Sequence, residues 1–135
     1  MSAFARDDQG RLCAGGMPLG DIAASHGSPL YVYSGDGIRD DYRRFAAAVA
    51  PVDGSVHFAL KANSALGVIG LLAQHGAGAD IVSGGEMARA LAAGIPAEKI
   101  VFSGVGKSAE EIGAALDAGI SQINAESPQE VEAIS

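Results

Sequence analysis

A chain of 135 residues with 48% hydrophobic and 19% charged side chains has the balance of a globular protein, not of a disordered acidic tail. Nine Lys+Arg against sixteen Asp+Glu leave a net charge of −7, which repels phosphate backbones and argues against nucleic-acid binding. The single cysteine, Cys13, excludes an internal disulfide framework and a Cys-based zinc site, and no apolar run reaches the ~18–20 residues of a membrane span.

The first 29 residues show no sustained period. They hold a turn-rich stretch (Gly15, Gly16, Pro18, Gly20) and a short helical candidate from Asp21 to Ser25. Arg6, Asp7 and Asp8 have no apolar signal core behind them, so a cytoplasmic protein is expected. Leu30 to Tyr33 reads as a strand between Pro29 and Ser34. From Asp36 to Ala50, Ile38, Tyr42, Phe45 and Val49 recur at helical spacing, and Pro51 stops the run.

Beyond this point strands and helices alternate. Strands are predicted at Val56–Leu60, Ala79–Val82, Ile100–Phe102 and Ile120–Asn124. Between them lie helices at Ala65–Gln74, with Leu66, Ile69 and Leu72 inward, and at Glu86–Ala93. A third follows the capping box of Ser108 and Glu111 and ends at Ala118. Ser127, with Pro128 at the first helical position and Glu130 completing a second capping box, opens a last helix. A strand every 21–23 residues with a helix between implies a parallel sheet with right-handed crossovers. Either an open doubly wound sheet or a (β/α)8 barrel satisfies this pattern. A complete barrel takes roughly 250 residues, so the expected fold class is α/β, the first half of a TIM-type barrel.

Three stretches could carry chemistry. In HFALKAN, at 57–63, Lys61 sits at the carboxyl end of a strand, where barrel enzymes place catalytic groups. Apolar walls there would disfavour the ammonium form and leave an amine able to condense with a carbonyl. The alternative is a lysine that caps a helix or reaches solvent. In GADIVSGGE, at 78–86, Asp80 interrupts an apolar strand and Glu86 opens the next helix. Asp80 could equally bond backbone amides, and Glu86 could simply be a favourable acid at a helix N-terminus. The loop of Ser103 to Ser108 suggests a phosphate loop, but the first glycine of that pattern falls on Val101, inside a strand. Its Gly and Lys107 could still attract an anion at the helix N-terminus. His26, His57 and His75 lack metal-ligand spacing, so no metal site is expected.

Together these stretches resemble the fold-type III pyridoxal-phosphate decarboxylases, the alanine-racemase-like barrel group. The carrying segments are SPLYVY at 28–33, HFALKAN at 57–63, GADIVSGGE at 78–86, IVFSGVGKS at 100–108 and INAES at 123–127, in family order and spacing. The GADIVSGGE run resembles the diaminopimelate branch more than the ornithine branch. The resemblance implies decarboxylation of meso-2,6-diaminopimelate to L-lysine and CO2, with pyridoxal 5'-phosphate as cofactor and a homodimer as the complete form. It implies that Lys61 holds the cofactor, that Asp80 lies beside it, that Ala59 lies against its ring, and that Glu86 lies near the reacting carbon. It further implies that residues 1–34 contribute a strand to a second, β-rich domain, and that 35–135 form the first half of the barrel. On that reading the phosphate-binding and substrate-reading residues lie beyond Ser135, and the 135-residue chain alone is expected to be inactive. The alternatives are an ornithine, arginine or carboxynorspermidine decarboxylase, and a non-enzymatic barrel that only carries the cofactor.

Overall fold

A computed structural model describes residues 3–135. Compactness divides the chain between Arg44 and Phe45. This boundary lies inside a helix and not at the 34/35 junction expected from sequence.

The amino-terminal unit contains a three-stranded antiparallel sheet of β1 (Phe4–Arg6), β2 (Leu12–Ala14) and β3 (Met17–Pro18). Asp7 shapes the first turn: its carboxylate accepts the Gln9 and Arg11 N–H groups at 3.0 and 2.9 Å and the Arg11 Nε–H at 2.8 Å. The second turn is Gly15-Gly16, with φ of 56° and 82° at consecutive residues. Two positive φ values in a two-residue hairpin loop are what glycine pairs supply. Helix α1 (Leu19–His26) follows β3. The strand expected at 30–33 is absent: the segment makes no strand pairing among the described residues, and Tyr31 is 89% exposed. Its composition suits a strand, but a strand exists only against a ladder partner. The β structure lies earlier, at 4–18, where the sequence signals only turns. Helix α2 (Gly35–Val49) carries the (i, i+3) pairs Asp36–Arg39, Asp40–Arg43 and Asp41–Arg44 on its exposed face. Such surface pairs add little stability.

The second unit is a parallel sheet of β4 (His57–Ala59), β5 (Gly78–Ile81), β6 (Ile100–Phe102) and β7 (Gln122–Ile123), added in sequence order without reversal. Helices α3 (Leu66–Ala73), α4 (Gly84–Ala92) and α5 (Ala109–Ala118) form the crossovers, and α6 (Pro128–Ile134) follows β7. All four strands and these helices match the expected elements to within a few residues. The core joins Ala79, Ile81, Ile100 and Phe102 of the sheet to Ile69, Met87, Ala90 and Ala115 of the helices. Burying side chains such as Phe102 or Ile81, both 0% exposed, contributes about 1.5–3 kcal/mol each. Leu66, expected inward, is 49% exposed, whereas Ile69 and Leu72 of that helix are buried.

Strand alternation then fixes the other face. Since 79, 81, 100 and 102 point to the helices, the in-register row Ala59, Asp80, Val101 and Gln122 points away from them.

Candidate functional site

The carboxyl ends of β4 to β7 gather the polar groups of that row. Ala59 is in register with Asp80 across β4 and β5. Beyond Ala59 the chain makes a single 3-10 turn, Leu60–Ala62, which buries Leu60 completely and leaves Lys61 exposed. This corrects the expectation of a lysine walled by apolar neighbours: within this unit the turn carries Lys61 out of the sheet. Its ammonium has no hydrogen bond or ion pair among the described residues. The loop that follows is fixed on its far side, with Asn63 Oδ1 accepting the Ala65 N–H at 3.0 Å and Arg89 donating to the Ser64 carbonyl at 3.3 Å.

Among the described residues Asp80 bonds no backbone amide. Its Oδ1 accepts the Ser103 hydroxyl at 2.5 Å, and Ser103 Oγ accepts the Asn124 side-chain amide at 3.0 Å. Gln122 in turn donates to Asn124 Oδ1. The sequence reading did not select Ser103, Asn124 or Gln122 as site residues. The signal was the period itself: Asp80 is in register with Val101 and Gln122, and Ser103 and Asn124 stand two residues further along on the same face, at the carboxyl end.

Glu86 is turned toward its own helix start. Its Oε2 accepts the Val82 N–H at 2.9 Å, while Ser83 Oγ accepts the Glu86 N–H at 3.2 Å. The same Ser-x-x-Glu arrangement recurs twice, and there the carboxylates reach further. Glu111 completes the capping box with Ser108 and also accepts the Gly84 N–H at 2.8 Å, at the start of α4. Those backbone donors, Gly84 first, hold its carboxyl below the usual range. Glu130 does not close the expected box on Ser127. It takes the Glu126 N–H at 2.9 Å and extends to Gly106 N–H at 3.0 Å and Lys107 Nζ at 3.0 Å. The Glu126 amide first, and then the Lys107 ammonium, bring its pKa down to about 2.

Lys107 is thereby engaged. Its side chain is 1% exposed, donates to the Asn124 carbonyl at 2.7 Å and lies 5.5 Å from the Phe102 ring centroid. The anion site suggested by the Ser103–Ser108 loop is therefore not built on this lysine. Gly104 in the same loop passes against the Val82 backbone, where any Cβ would collide with the carbonyl. A cavity of about 480 Å³ lies elsewhere, in the amino-terminal unit, lined by Cys13 and by paired Arg and Asp side chains. It holds none of the candidate residues. Among the described residues no group of three or more His, Cys, Asp or Glu could hold a metal ion, and no helix is long and apolar enough to cross a membrane.

Residues 36–135 match the model of the pyridoxal-dependent decarboxylase pyridoxal-binding domain. The chain belongs to the pyridoxal-dependent decarboxylase family. It is 52% identical over 122 residues to a diaminopimelate decarboxylase of Pseudomonas fluorescens, covering 90% of this chain and 29% of that protein. It is 49% identical over 129 residues to that of Zymomonas mobilis, covering 91% and 30%. Among solved structures, the diaminopimelate decarboxylase of M. jannaschii in complex with L-lysine superposes with a TM-score of 0.92 at 36% identity, over 98% of this chain and 32% of that one. The chain thus spans about 30% of the length of the relatives it matches.

Membership in a pyridoxal-dependent family brings pyridoxal phosphate as cofactor, and the donor set fits it. A carbonyl cofactor needs a primary amine not already spent. Of the three lysines, Lys99 donates to the Gly76 carbonyl and Lys107 is paired internally, and Lys61 is the one whose amine could hold the cofactor without giving up a bond among the described residues. The oriented Asp80 carboxylate lies on the neighbouring strand, in register with the end of β4.

Proposed function

We propose that the chain is the amino-terminal part of a decarboxylase that converts meso-2,6-diaminopimelate to L-lysine and CO2. The observation that carries this is the unspent Lys61 amine at the carboxyl end of β4, beside an Asp80 fixed in the next strand. Identity near 50% to diaminopimelate decarboxylases supports the substrate.

Residues 35–135 are then the first half of a (β/α)8 barrel. Strand order without reversal and helices on one face of the sheet support that reading over a doubly wound sheet. Residues 1–34 belong to a second, β-rich domain, with the hairpin at 4–18 as their β element. The complete protein is a cytoplasmic homodimer.

In the site, Lys61 Nζ holds the cofactor, Ala59 packs against its ring, and Asp80 lies beside it. Glu86 stands nearest the reacting carbon, with one oxygen committed to the Val82 N–H. When bound, the cofactor supplies a pyridinium that accepts the electron pair left by departing CO2. Lys61 Nζ, once free of the cofactor, is the group that returns a proton to the product.

The test is reductive trapping. The intact protein, loaded with pyridoxal phosphate and treated with borohydride, should carry a pyridoxyl group on the peptide containing Lys61. It should also release CO2 from diaminopimelate in preference to ornithine. A label on Lys99 or Lys107, or a preference for ornithine, overturns the assignment.

A further inference from the structure

We propose that Ser103 is a positioning residue for Asp80, with its hydroxyl proton aimed by Asn124, so that one carboxylate oxygen stays fixed and the other stays open to the cofactor. This rests on the reading above that Asp80 lies beside pyridoxal phosphate.

A serine hydroxyl has one proton and two lone pairs. The Asn124 Nδ2 group can only donate, so at 3.0 Å it occupies a lone pair of Ser103 Oγ. The hydroxyl proton is left for Asp80 Oδ1 at 2.5 Å. Asn124 itself has two possible senses. With its carbonyl oxygen toward Ser103 it would claim the hydroxyl proton, and lone pairs would then face the Asp80 carboxylate. The Asp80 carboxylate can only accept, so it claims the Ser103 proton and selects the sense in which Asn124 donates; Gln122 then donates to the Asn124 Oδ1 that is left. Every link therefore points a proton toward Asp80: Gln122 to Asn124, Asn124 to Ser103, Ser103 to Asp80. All four residues project from the sheet face opposite the helices or extend that row at its carboxyl end. Asp80 Oδ2 has no partner among the described residues, so the chain orders the carboxylate without consuming it.

The experiment uses the intact protein, stripped of cofactor and titrated with pyridoxal phosphate while absorbance reports binding. Ser103→Ala should weaken binding about tenfold, the scale of a lost hydrogen bond to a charged group. Ser103→Thr, which keeps the hydroxyl, should restore it. Asn124→Asp keeps the Ser103 hydroxyl but competes for its proton, and should reproduce most of the loss. In an Asp80→Ala background, Ser103→Ala should add nothing, because two residues acting through one group are not additive. Full additivity with Asp80→Ala overturns the relay while leaving Asp80 at the cofactor. Unchanged binding in Asp80→Ala alone overturns the placement of Asp80, and the relay with it. Thermal melts of the stripped variants guard against misfolding: a Ser103→Thr protein that melts normally yet binds like Ser103→Ala also overturns the proposal.

Discussion

Two lysines stand just beyond the carboxyl ends of parallel strands, and the fold treats them oppositely. Lys107, after β6, is buried against Phe102 and holds Glu130 and the Asn124 carbonyl. Lys61, after β4, is exposed with no partner among the described residues. From sequence both occupied positions where chemistry is expected. What separates them is whether the surrounding chain has already used the charge. A cation enclosed by its own carboxylate and a carbonyl is a structural member, whereas one held out beyond a strand end is available to a ligand.

Removing the Lys61 amine should give the largest effect. In the intact protein Lys61→Ala should remove the absorbance of the covalently held cofactor and lower turnover by several orders of magnitude, since the proposed tether and proton carrier go together. Melting of the cofactor-free protein should not move. Near-normal turnover would remove the distinction between the two lysines. Lys107→Ala should do the reverse. Borohydride trapping at Lys61 should persist, but the melting temperature should fall on the order of 10 °C, because Glu130 loses its buried counter-charge.

A smaller effect sharpens the same contrast through pH. Glu130 titrates near 2 in the folded protein against an ordinary 4.5, so it binds protons more weakly folded than unfolded. Its contribution is complete above pH 4.5 and is lost as the pH falls toward about 2. Acid melting curves should steepen over that window, and Glu130→Gln should flatten them.

The alternating half of the chain was legible because each strand is a short apolar run closed by a turn signal, repeated at a nearly constant interval. Lys61 was legible for the same reason, since it ends one of those runs. The amino-terminal hairpin was not, because strands of two or three residues are too short to display a period. Leu30 to Tyr33 failed in the opposite sense: the residues favour a strand, but pairing is a property of two segments. The side-chain relay and the Lys107–Glu130 pair share that character. Each joins residues about 20 positions apart, and only the register of β5, β6 and β7 and the packing of the loop after β6 bring them together.

The reach-back carboxylates carry a consequence for how the chain is made. Glu111 closes the start of α4, and Glu130 closes the loop after β6. Each turn is thus finished by a residue from the following repeat. On a ribosome, where synthesis runs from the amino end, a helix start at Gly84 emerges well before the acid that satisfies it. A chain paused before residue 111 lacks the carboxylate that accepts the Gly84 N–H, and that amide should exchange faster there than in the longer chain.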